Sequence, residues 1–156
     1  MAIRNIEEAE AIITGSSAYP NIRGYAEFEK KGNATAVAIA VTGLPYSSNP
    51  CEQGIFAVHI HEGGSCGGRG QDYFSDTKGH YNPTGCPHPY HSGDMPPLFA
   101  MGGEAVLTFM TDRFTPEEIV GRTIVIHRAA DDFHSQPSGN SGEKIACGVI
   151  RAERDD

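Results

Sequence analysis

The sequence predicts an all-β fold, an antiparallel β-sandwich or barrel that holds two long loops. Apolar residues alternate at period two through the first half, as half-buried strands require. The 156 residues include 19 Gly and 10 Pro, a usage suited to short strands joined by turns. Two stretches, residues 62–101 and 129–143, are polar and without period, which marks functional loops.

The elements follow in order. A weak strand runs from Ala9 to Thr14. Ile22, Gly24, Ala26 and Phe28 can share one face, and Val37, Ile39 and Val41 another. Lys30-Lys31-Gly32-Asn33 between these runs has the composition of a hairpin turn. After a Pro- and Ser-rich turn at Pro45–Pro50, Gly54–His61 reads as one strand. Further strands are expected at Gly103–Met110, Arg122–His127 and Lys144–Ile150. Thr115-Pro116-Glu117-Glu118 combines a helix cap, a first-turn proline and a reciprocal glutamate, so a short helical turn belongs there.

The length fits a single domain spanning residues 1–156. Lys and Arg number 12 against 20 Asp and Glu, a net charge of -8, which argues against a partner with a phosphate backbone or an anionic membrane. No apolar run approaches the ~20 residues of a membrane span. Met1–Glu8 carries early acids and no apolar export segment, so a cytoplasmic location is expected.

Seven histidines concentrate the chemistry. His59 and His61 lie two apart in a strand, so both side chains leave the same face with roots about 7 Å apart, close enough to converge on one ion. His80, His88, His91 and Asp94 lie in the first long loop, and His127 ends a later strand. Imidazoles suit copper or zinc, and a His-His-His-Asp set suits zinc. A cupin would need a glutamate four or five residues beyond the pair, where Ser65 and Cys66 stand. An amidohydrolase barrel would need ~250 residues.

The blocks Ala57-Val58-His59-Ile60-His61-Glu62, Gly79-His80-Tyr81-Asn82-Pro83, His91-Ser92-Gly93-Asp94, Val125-Ile126-His127, Gly139-Asn140-Ser141-Gly142 and Ala146-Cys147-Gly148-Val149-Ile150 resemble the copper/zinc superoxide dismutase family. The resemblance implies a Greek-key barrel of about eight strands. It matches His59, His61, His80 and His127 to copper ligands, with His80 bridging to zinc. It matches His80, His88, His91 and Asp94 to zinc ligands, and Asp131 to a carboxylate that orients ligands of both metals. Only Pro89-Tyr90 separates His88 from His91, so the zinc loop is shortened there, while the interval from His61 to His80 is lengthened. His134 has no counterpart and reads as a surface loop residue; Asp132 reads as a turn aspartate.

The resemblance also pairs Cys66 with Cys147 in a disulfide, and leaves Cys51 and Cys86 as either a second bridge or thiols. The implied activity is the conversion of superoxide to dioxygen and hydrogen peroxide by copper, with zinc structural and His80 carrying a proton. Where the family usually places an arginine three residues before its last cysteine, this chain has Lys144, which keeps the charge but loses the planar fork. Glu143 beside it is expected to weaken the local field, so activity is expected to be retained but reduced. A copper or zinc store or chaperone, or a zinc-only structural relative, would use the same ligands; the intact copper set favours the enzyme, and Lys144 favours the others. Family members are often dimers, so a homodimer is possible on this resemblance.

Overall fold

A computed structural model describes residues 6–52 and 54–153. Met1–Asn5, on which part of the export expectation rests, lie outside the described residues. In chain order the strands are β1 (Glu8–Gly15), β2 (Arg23–Lys31), β3 (Ala34–Thr42), β4 (Ile55–Phe56), β5 (Val58–His61), β6 (Leu98–Phe99), β7 (Ala105–Thr111), β8 (Thr123–His127), β9 (Lys144–Val149) and β10 (Arg151–Ala152). The expected helical turn is α1 (Pro116–Ile119), where the Thr115 hydroxyl accepts from the Glu118 N–H at 3.2 Å.

One curled antiparallel sheet runs in the order β5-β8-β9-β1-β2-β3-β7, with β10 alongside β1, and β4 pairs with β6 in a second, two-stranded sheet. Counting β4 with β5, and β9 with β10, as interrupted strands gives the expected eight. The chain leaps across the order between β3 and β5 and again between β7 and β8, which is the Greek-key connection.

The β2–β3 hairpin closes at Lys31↔Ala34 around Gly32, whose φ of 61° favours glycine. Its register sets Ala26 opposite Ile39 and Phe28 opposite Val37. The two apolar sets expected on separate faces therefore meet on a single inner face. Val58, Ile60, Ile124, Ile126, Ile145 and Ala146 close the core from the β5-β8-β9 side.

Two departures from the sequence reading position the site. The strand expected over Gly54–His61 breaks at Ala57, whose N–H donates to the Ala129 carbonyl at 3.0 Å and whose carbonyl accepts from His127 N at 2.8 Å. The chain thereby changes partners: β4 pairs with β6, and β5 pairs with β8. The second is a bulge in β9. Ile126 faces Ala146, but His127 faces Lys144, so Ile145 is an extra residue. The bulge lets the adjacent Ile145 and Ala146 both enter the core and brings Lys144 directly opposite His127.

Candidate metal centre

Along β5, Val58 and Ile60 enter the core, so alternation sends His59 and His61 to the opposite face. The long loop is not structureless here. Gly79 O accepts from Glu62 N at 2.9 Å, Tyr81 N donates to Ile60 O at 2.8 Å, and Ile60 N donates to Gly93 O at 2.9 Å. These bonds hang the loop on β5 and create the bridges His61↔His80 and His59↔Asp94. Sequence periodicity cannot show such bridges, because each is one residue long.

His59, His61, His80, His88, His91, Asp94, His127 and Asp131 are all buried, none more than 9% exposed. Their donor atoms form two groups, His59-His61-His80-His127 and His59-His80-His88-Asp94, each within 4.8 Å. His91 joins the second: its Nδ1 lies 3.1 Å from His80 Nδ1 and 3.3 Å from Asp94 Oδ2. His88 Nδ1 lies 3.0 Å and His80 Nδ1 2.8 Å from the Asp94 carboxylate.

The outer partners determine which ring nitrogen is free. His61 Nδ1 donates to Lys78 O at 2.8 Å and His127 Nδ1 to Gly142 O at 3.2 Å. Asp131 accepts from His59 Nε2 and His88 Nε2, both at 2.8 Å, and so ties His59, common to both groups, to His88 of the second. The Nε2 lone pairs of His61 and His127 then face each other at 3.2 Å. Two lone pairs at that separation repel unless a cation lies between them. His59 Nδ1, His80 Nε2, His88 Nδ1 and Asp94 Oδ1 are buried without hydrogen-bond partners. Buried polar atoms are rarely left so; a cation for each group satisfies all four. Oxygen in one group and nitrogen alone in the other are consistent with zinc and copper respectively.

Electrostatics agree with neutral ligands. Burial holds the His59 imidazole at about 4 and His127 at about 3, and pushes His61 well below the ordinary 6.5. Burial also lowers His91. For Asp94 and Asp131 burial acts upward, but the close imidazoles outweigh it and both carboxyls lie below the ordinary carboxylate range. A deprotonated imidazole and an ionised carboxylate are the forms that bind metal.

Several positioning residues were not visible in the sequence. Gln136 grips the His88 backbone from both sides, its Oε1 accepting from His88 N at 2.9 Å and its Nε2 donating to His88 O at 2.7 Å. Arg113 donates to Pro89 O at 2.7 Å, bracing the two-residue link to His91. Gly139, at φ 73°, leaves room for Asp131, since a Cβ there would lie 1.9 Å from Asp131 Oδ1. Lys144 donates to Asp72 Oδ2 at 3.2 Å, whereas Glu143 reaches the Tyr19 hydroxyl at 3.2 Å. The acid touching Lys144 is thus Asp72, not its neighbour. Asp132 serves its own turn through Ser135 and His134 backbone N–H groups, and His134 is exposed.

Cys66 and Cys147 form a disulfide with Cα atoms 5.9 Å apart, while Cys51 and Cys86 are free thiols. The bridge packs with Phe74 and Val125 in a small cluster beneath the first loop.

The family model described as copper/zinc superoxide dismutase matches residues 22–150. The chain is 34% identical over 151 residues to a superoxide dismutase [Cu-Zn] of Deinococcus radiodurans, covering 84% of this chain and 78% of that protein. It is 32% identical over 143 residues to superoxide dismutase [Cu-Zn] 2 of Aquifex aeolicus, covering 82% and 78%. An extracellular superoxide dismutase [Cu-Zn] of Rattus norvegicus is 30% identical over 142 residues, covering 84% of this chain and 55% of that protein. With matches across most of its length and two metal-competent groups that share His59 and His80, this chain belongs to the copper/zinc superoxide dismutase family.

Proposed function

We propose that the protein converts two superoxide ions and two protons to dioxygen and hydrogen peroxide. His59, His61, His80 and His127 are the copper ligands in this reading, and His80, His88, His91 and Asp94 the zinc ligands. When bound, copper supplies the one-electron chemistry, taking an electron from one superoxide and returning it to the next, while zinc supplies fixed charge.

The observation that carries the reading is His80, which belongs to both groups, with Nδ1 against Asp94 and His91 and Nε2 buried without a partner. Its Nε2 would hold a proton from solvent only while copper is off that nitrogen and would pass it to the second reduced oxygen species, while Nδ1 stays in the zinc group. Asp94 and His91 hold the ring in place through that turnover. Asp131 keeps His59 Nδ1 and His88 Nδ1 unprotonated by accepting from the opposite nitrogens. Lys144, opposite His127, attracts the anion.

Burial of all the ligands supports a resident metal rather than one handed on, and so favours the enzyme over a store or chaperone. Reconstitution with copper and zinc, followed by superoxide decay at several salt concentrations, tests the proposal. The expected result is decay faster than free copper gives, slowing as salt rises because exposed charge is screened over about 10 Å at 0.1 M. Decay no faster than with free copper overturns it. His80→Ala is expected to remove both metals on elemental analysis, whereas loss of copper alone contradicts shared ligation.

A further inference from the structure

The Lys144 ammonium is fully engaged. It donates to Thr77 Oγ1 at 3.0 Å, Asp72 Oδ2 at 3.2 Å and Phe74 O at 3.4 Å, which accounts for its three protons. The β9 bulge fixes the root of this side chain opposite His127, so the ammonium belongs to the margin of the histidine cluster. Its partners differ in kind. Thr77 is fully buried, and its own hydroxyl donates to Phe74 O at 2.7 Å, so this pair is an anchored neutral cradle. Asp72 alone brings a full charge, and its side chain is 44% exposed while that of Lys144 is 16% exposed. Its Oδ1 also accepts from Phe74 N at 2.9 Å, so the contact open to exchange is that of the solvent-facing Oδ2 with the ammonium.

We infer that Asp72 is a specificity-determining residue of this site, an internal anion that competes with incoming small anions for the Lys144 ammonium. With Asp72 seated, its charge offsets that of Lys144. With the Oδ2 contact given up to an incoming anion, Thr77 and the Phe74 carbonyl still hold the ammonium in place, and one donor position is open. The identity of that anion as superoxide rests on the dismutase reading; the competition itself does not.

Glu143 provides the comparison. It is adjacent to Lys144 in sequence and carries the same charge, but its carboxylate is on Tyr19. Azide, a small linear anion, is the probe, titrated into the copper- and zinc-loaded protein and followed by the visible absorption and paramagnetic resonance of copper. Asp72→Asn and Asp72→Ser are each expected to bind azide on the order of threefold more tightly at low salt, a size usual for an exposed ion pair. The gain is expected to shrink as salt rises. Glu143→Gln is expected to give a smaller gain than either. An unchanged azide affinity in both Asp72 variants, an equal gain in Glu143→Gln, or no azide binding to the loaded protein overturns the inference. Turnover of the unaltered protein is scored separately: tighter azide binding in the Asp72 variants without dismutation in the parent sinks the dismutase reading and leaves the competition standing.

Discussion

Asp131 holds two imidazole rings, those of His59 and His88, and has room to do so because Gly139 lacks a Cβ. The missing methyl group would lie 1.9 Å from Asp131 Oδ1 and 2.7 Å from His88 Nε2. Gly139→Ala also has to adopt a φ of 73°, which L side chains rarely take. The carboxylate must move, and with it the tautomers of His59 and His88. We expect Gly139→Ala to weaken both metals by about 10-fold to 100-fold, the usual effect of losing an outer partner, as measured by competition with a chelator of known affinity. Retention of both affinities would show that Asp131 is not what orients the rings. The two clustered groups of histidine and aspartate were legible from residue types and family blocks. Their support was not, because Gly139, Gln136 and Lys78 act through a missing atom, an amide or a backbone carbonyl, and none of these leaves a pattern in one sequence.

Strands and loops divide the work unequally. β5 and β8 were readable because one alternates and the other is a short apolar run of β-branched residues, and all nine of their residues are buried. The break at Ala57 and the extra Ile145 were not, since both depend on which strand lies alongside, and period-two alternation carries no information about partners. The first long loop looked irregular because its order comes from single bridges onto β5 and from the Cys66–Cys147 tie to β9. That tie spans 81 residues. Loop-closure entropy for such a span corresponds to about 4 kcal/mol. Cys66→Ser is expected to lower unfolding stability by that order in chemical denaturation, and to free the segment that carries Asp72, Phe74 and Thr77 toward Lys144. A loss below about 1 kcal/mol would mean that the Phe74, Val125 and Cys147 cluster holds the loop alone.

The molecule as a whole is acidic, yet its substrate in the proposed reaction is an anion. The formal charge of -8 describes the surface and says little about a site lined by neutral imidazoles, where two divalent ions would supply the local field in the proposed reading. Those imidazoles also make metal-free stability depend on pH. His59 and His127 titrate near 4 and 3 in the folded chain, below the ordinary 6.5, so the unfolded chain binds protons first as pH falls. Their contribution is complete above about 6.5 and declines from there toward 4, by up to ~1.4 kcal/mol per pH unit for each group. Asp94 and Asp131, both depressed, add a further loss below their ordinary 3.8. Urea midpoints of chelated protein are expected to fall between pH 6.5 and 4.5, and a flat profile there contradicts neutral burial.

In the proposed reading, the same Asp131 carboxylate would link the occupancies of the two ion groups. Ordering His88 for one ion also orders His59 for the other, because one rigid carboxylate holds both rings at 2.8 Å. The first ion to arrive therefore meets the conformational cost of aligning its neighbour's ligand, and the second binds to a ring already aimed. Linkage would make such coupling reciprocal: zinc would tighten copper by the same factor that copper tightens zinc. Intermediate metal contents would then be rare, and a partly supplied population would sort into empty and doubly filled molecules.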